Sequence, residues 1–182
     1  MIYIFTEFWY TLLRWFELFA APIMHPELLW ITIPIFLSWI AAEFFQEKLS
    51  TSLGNAISNG VVVLWVGLDW VRTIINKILF SLNGVARIDW SIEITKIVIA
   101  TLVFLYGAII IIDGIRAKEY IKFFGKIREV TYVLLMFTPV MYGVVPIEWR
   151  TFLAMALFFP IFYYVIEAID VYTPDPKAAK KD

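Results

Sequence analysis

The chain contains no cysteine. That excludes disulfides, thiolate zinc sites, cysteine-ligated iron–sulfur clusters and a cysteine nucleophile together. Histidine is almost as scarce: His25 stands alone, so no di-metal centre or haem pair can be built on imidazoles. Charge is sparse and balanced. Only 17% of residues are charged, with 15 Lys and Arg against 16 Asp and Glu, which leaves no basic footprint for nucleic acid. No GxSxG elbow, Walker A loop, HExxH or GxGxxG occurs, and the Ser and Thr residues have no His or Lys partner at a diagnostic spacing. No cofactor is implied. The chain has one Gln and four Asn, and this shortage of thermolabile side chains predicts a thermophilic source.

What the chain has instead is apolar surface. Its hydrophobic fraction is 62% and its aromatic fraction 18%, with a mean hydropathy of +0.80. A soluble domain is about 45–50% apolar and about 25% charged. The fold class expected is therefore all-α: a polytopic helical integral membrane protein, multi-pass in the cell membrane, with the lipid bilayer as its first partner. Uncharged runs of the length a spanning helix needs predict about five spans, near residues 28–47, 53–75, 95–114, 129–147 and 150–170, in one domain over 27–172. Beyond Asp69 the spacing of Ile74, Ile75, Ile78, Leu79 and Leu82 continues the second helix from about 53 to about 82, where Asn83-Gly84 signals a turn. Residues 173–182, with Pro174 and Pro176, form a flexible tail.

Residues 1–21 are expected to form an amphipathic interfacial helix. Glu7, Thr11 and Arg14 share one face, while Phe5, Trp9, Leu12, Leu13, Phe16 and Phe19 turn to lipid. Pro22 and Pro26 then break it. Trp30, Trp70, Trp90 and Trp149 lie near segment ends and suit the headgroup level. Trp39 and Trp65 fall mid-segment and are expected between helices. Orientation follows the basic loop 114–129, which holds Arg116, Lys118, Lys122, Lys126 and Arg128. Together with Lys177, Lys180 and Lys181 in the tail, these place that loop and the C-terminus in the cytoplasm. The loop's basic residues are candidates for anionic-lipid contact, and the segment after Asp113 is expected to continue as an amphipathic helix through Phe124.

Ionisable groups within spans are the functional candidates. On the second span Asn55, Asn59, Val62, Val66, Asp69 and Thr73 fall on one stripe, with Arg72 three residues after Asp69. Such a stripe serves either helix packing or ion passage, and the two valines in its middle interrupt a polar path. Glu43 and Glu47, one turn apart, are possible cation ligands that could join Asn55 and Asn59 at one membrane face. Tyr163, Glu167 and Asp170 make a secondary polar face on the fifth span. These features point to a non-enzymatic membrane subunit or small oligomeric channel or transport component, a homo-oligomer or part of a larger complex. The alternative is a small enzyme acting on a lipid or prenyl substrate at the cytoplasmic face, with Glu43, Glu47, Glu167 or Asp170 as acids.

Overall fold

The computed structural model describes residues 2–45, 53–82, 88–124 and 127–172, and the side chains at 2, 3, 43–45, 127 and 170 also fall outside it. The regular structure among the described residues is helical throughout, as expected. In chain order it comprises α1 (Ile2–Met24), a 3₁₀ turn (Pro26–Leu28), α2 (Leu29–Phe45), α3 (Leu53–Leu82), α4 (Trp90–Ile115), the short α5 (Ile121–Phe124), α6 (Ile127–Tyr142) and α7 (Trp149–Tyr172).

Local chemistry sets several of these limits. The Asp89 side chain caps α4 by accepting from the Ser91 and Ile92 amides, which supplies orphan donors of the first turn. The helix over 53–82 is present at its full 30 residues. Pro22 does not stop α1, which carries it to Met24. The break comes at His25, whose backbone is non-helical, followed by Pro26 at the head of the 3₁₀ turn. There the axis bends by 85° into α2. The fourth span, expected to reach residue 147, ends at Tyr142. Gly143 takes a φ of +80°, a left-handed position that closes a helix, so the apolar residues 144–147 extend the chain without extending the helix.

Among the described residues two helices are long and apolar enough to cross a membrane, Trp90–Ile115 and Trp149–Ile169, and a third passage arises if the bent pair Ile4–Met24 and Pro26–Ala42 counts as one. This is fewer than the five expected. Counting uncharged runs ignores where helices stop: α2 has 17 residues and α6 has 16. At 1.5 Å per residue α6 is about 24 Å long, short of the roughly 30 Å hydrocarbon core. Helix α3 is long enough, but Asn55, Ser58, Asn59, Asp69 and Arg72 dilute its apolar stretch.

Side-chain register gives the directions. Helices α3 and α4 are antiparallel and in close contact: Gly60 faces Ile110, Gly67 faces Phe104, and Gly114 faces Ile57. Helix α6 runs parallel to α3, since Val63 lies with Val130 and Leu134 around one cavity while Trp70, further along α3, donates from Nε1 to Thr138. Helix α7 is antiparallel to α6: the Tyr132 hydroxyl donates to the Met155 carbonyl, and Arg128 pairs with Glu167. Helix α1 runs with α7, as Glu7 meets Arg150 and Phe19 stacks on Phe162. Consequently α4 and α7 point the same way.

The core draws on every long helix, through Leu18, Ile31, Val66, Trp70, Met136 and Phe158. On α1, Phe5, Trp9, Leu13 and Phe16 are exposed, whereas Leu12 and Phe19 pack on the core. Two tryptophan expectations are reversed. Trp70 is fully buried, and Trp65 is 51% exposed. Asp69 ends the uncharged run, but α3 continues thirteen residues past it to Leu82, so position 70 lies inside the bundle. Trp30, Trp90 and Trp149 are exposed, and Trp39 packs against Phe162. Along α4, Ile94, Val98, Leu102, Leu105, Ile109 and Ile112 are exposed on one face, the apolar stripe of a membrane-facing helix.

Candidate functional site

Asp69 is the centre of the polar spine. Its side chain is 4% exposed. Oδ1 accepts from Arg72 Nε at 3.1 Å and Nη2 at 2.5 Å. Oδ2 accepts from the Tyr142 hydroxyl at 2.6 Å. One turn of α6 earlier, Thr138 takes the Trp70 indole N–H at 3.3 Å and donates to the Leu134 carbonyl at 2.6 Å. These bonds tie α3 to α6 at one level. Asn59 is buried nearer the start of the helix and Asn55 half-buried. Between the Asn residues and Asp69, Val63 and Val66 are buried in the core, and Gly67 presses on the Phe104 backbone. The stripe is thus two polar groups separated by packed apolar side chains. A cavity of about 300 Å³ lined by Trp30, Trp65, Leu68, Asp69 and Arg72 adjoins the Asp69 end.

A second ionic cluster lies where α3 ends and α4 begins. Glu93, 2% exposed, accepts from Lys77, and Lys96 is buried beside it. Both ammonium groups converge on Gly143, lying within 4 Å of where a Cβ would stand. The turn at Gly143 therefore lies against this cluster. Sequence reading missed it. The Glu93–Lys96 spacing on one helix was a usable signal, but Lys77 comes from another helix.

At the opposite end the chain turns back after α4. Ala117 adopts a φ of +55°, and the Lys118 amide donates to the Asp113 carbonyl at 3.0 Å. The Asp113 carboxylate accepts from Lys118 Nζ at 2.9 Å and from the Tyr120 hydroxyl. These bonds raise the Lys118 ammonium and the Tyr120 phenol above their ordinary pKa values, the hydrogen bond to Asp113 being the main cause for both. The expected continuous helix through Phe124 is thus corrected to a turn followed by α5. Asp113 recruits the chain back on itself, and Ile121 is buried against Ala56 and Ile110.

The basic residues of this end are engaged within the protein. Arg116 lies 3.6 Å from Asp113, and Lys122 pairs with Glu119 at 2.6 Å. Arg128 bonds Glu167 at 2.5 Å and stacks over the Tyr163 ring at 4.9 Å. Tyr163 and Glu167 do share a face, and Arg128 joins them there with its side chain only 12% exposed. At the other end Arg14 bridges Glu17 and Glu148. Glu17 lies on α1 with Arg14, whereas Glu148 lies in the connector just before α7, and no local pattern announces the second.

Of the remaining expected residues, Glu47 and Lys126 and the side chains of Glu43 and Asp170 lie outside the described residues. Among the described residues no group of three or more His, Asp or Glu could hold a metal ion. His25 is exposed beside Glu27, 3.5 Å away. No protein-family model, curated protein or solved structure matches the chain.

Proposed function

We propose that this chain is a polytopic membrane component that acts through assembly, as a homo-oligomer or a subunit, and that its α3 polar spine locks helices together instead of conducting ions. One observation carries the locking role: both oxygens of the buried Asp69 are bonded within the protein, to Arg72 and Tyr142. A conducting residue keeps a coordination position for its ion. Packing glue spends its acceptors on neighbouring helices. The sealed valine segment between Asn59 and Asp69 supports the same reading. The lipid or prenyl enzyme is less well supported, because Glu167, one of its acids, is held by Arg128.

The topology follows from direction. Helices α4 and α7 are the apolar crossings and run the same way, so the chain between them must return. Helix α6 is the described element placed to do so, with the apolar residues 144–147 adding reach. Helix α3, in antiparallel contact with α4, crosses beside it. The bent α1–α2 pair is the fifth membrane-embedded element. Arg116, Lys118 and Lys122 mark the cytoplasmic end.

The test is reconstitution in liposomes of the wild-type chain, Asp69→Asn and Asn59→Ala, with sodium, potassium and proton flux measured beside resistance to SDS unfolding. Flux at the empty-liposome level in all three, with Asp69→Asn unfolding at lower SDS, is the expected result. Wild-type flux above that level, abolished by Asp69→Asn, would overturn the packing role.

A further inference from the structure

Glu129 is a different kind of carboxylate from Asp69. It sits in the first turn of α6, where the helix N-terminus favours negative charge. Its Oε2 is buried and has no hydrogen-bond partner among the described residues. It faces an apolar cavity that Val63, Val103 and Val133 also line. A carboxylate with an unsatisfied oxygen in such a lining is costly unless something compensates it.

Two apolar cavities meet at this residue. One of about 340 Å³ lies among α3, α4, α5 and α6, walled by Tyr106, Phe123 and Phe124. The other, of about 610 Å³, lies between α6 and α7, walled by Tyr132, Phe137, Phe152 and Phe159. Val133 lines both. The Tyr106 hydroxyl donates to the Phe124 carbonyl at 2.6 Å, which holds that wall in place, and Tyr106 is near enough to Glu129 to feel its charge. The volumes are those of small-molecule sites, apolar with few polar groups.

We infer that Glu129 and these aromatic walls form a binding site for a lipophilic organic cation, of the quaternary ammonium or phosphonium class. Such a ligand meets both requirements of the site. Its diffuse charge compensates the carboxylate and lies against ring faces, and its apolar substituents fill the cavities. A hydrated metal ion would bring water against an apolar lining. An anionic lipid would be repelled by the carboxylate, and a neutral one would leave its charge unbalanced. The site is separate from the α3 spine and does not depend on how that spine functions.

The experiment is equilibrium dialysis of tetraphenylphosphonium against the full chain in detergent micelles, with empty micelles as background. Tetraphenylborate, of the same shape and opposite charge, is the control. Saturable binding of the phosphonium near one equivalent per chain is expected, weakened at least tenfold in Glu129→Gln, with no saturable binding of the borate. Val133→Trp pushes a large ring into the space at position 133 that both cavities share while leaving the carboxylate, and it should weaken binding at least tenfold even if Glu129→Gln does not fold. Equal binding of both ions, or undiminished binding in either variant, would overturn the inference. So would binding that appears only when Lys126, three residues before Glu129, is changed to methionine, because the chain would then supply its own counter-ion.

Discussion

Replacing Gly107 with alanine should separate α3 from α4. A Cβ at position 107 would stand 2.5 Å from the Leu64 amide nitrogen and 2.9 Å from both the Gly60 carbonyl oxygen and the Leu64 Cα. All three are backbone atoms in the middle of a helix and cannot rotate away. Ordinary contact begins at about 3.5 Å, so the helices must part locally by about 1 Å. A gap of that size forfeits a quarter to a half of each contact it opens. For about fifty heavy-atom contacts of about 0.15 kcal/mol each, the loss is about 2–4 kcal/mol. Alanine's better helix propensity returns about 1 kcal/mol, leaving a net destabilisation of about 1–3 kcal/mol, the range of overpacked cores. Gly114 is the matched control. Its Cβ would stand even closer to a neighbour, 2.4 Å from Ile57 Cγ1, but that neighbour is a side chain. Turning that branched side chain off its rotamer costs about 0.5–1.5 kcal/mol, and position 114 is next to the end of α4, where the propensity gain is small, so the net loss should be smaller than at Gly107. Titrating both variants with SDS in micelles, followed by tryptophan fluorescence with Trp70 as the buried reporter, measures the difference. The reasoning fails if Gly107→Ala unfolds with the wild type, or if Gly114→Ala is the more damaged of the two.

Two further outcomes are expected. Glu93→Gln leaves the buried Lys96 and the half-exposed Lys77 without their negative partner and should cost about 3–5 kcal/mol, mostly through Lys96; in the same titration, a loss below about 1 kcal/mol would show that the cluster is already solvated. Because the native chain has no cysteine, Glu119→Cys, Glu148→Cys and Lys181→Cys can each be labelled without background by an impermeant maleimide on sealed cells, and labelling should place 119 and 181 on one side and 148 on the other; 119 and 148 on the same side would rule out α6 as a crossing.

Features that depend on near neighbours could be read in the sequence. The extent of α3 followed from apolar spacing and the Asn83-Gly84 signal, and the Asp69–Arg72 pair followed from one turn of helix. The face shared by Tyr163 and Glu167 is also local. What could not be read depends on register between distant segments. Tyr142 reaches Asp69 only because α3 and α6 are in step, and a separation of 73 positions leaves no local trace of that. Arg128 carried the signature of a cytoplasmic, lipid-facing charge, but its position opposite Glu167 turns it inward. The end of α6 was misplaced because hydropathy registers Val144, Val145 and Ile147 as span, while the backbone at Gly143 has already left the helix.

The shortness of α6 connects the fold to its two unusual sites. At one end, the early stop at Tyr142 brings the turn at Gly143 against Lys77 and Lys96, beside the buried Glu93. At the other end, the Trp70–Thr138 bond sets residue 127 level with about residue 59 of α3, so α6 starts about 9 Å inside the start of α3 and its first-turn carboxylate lies beside apolar side chains. Longer neighbours flanking a short helix leave volume around its recessed start. The two cavities at Glu129 occupy that volume, and the return of α5 across it places Phe123 and Phe124 on the wall of the smaller one. A sixteen-residue helix set between helices of 30 and 24 residues is therefore enough to produce both a turn against the ionic cluster and a recessed carboxylate.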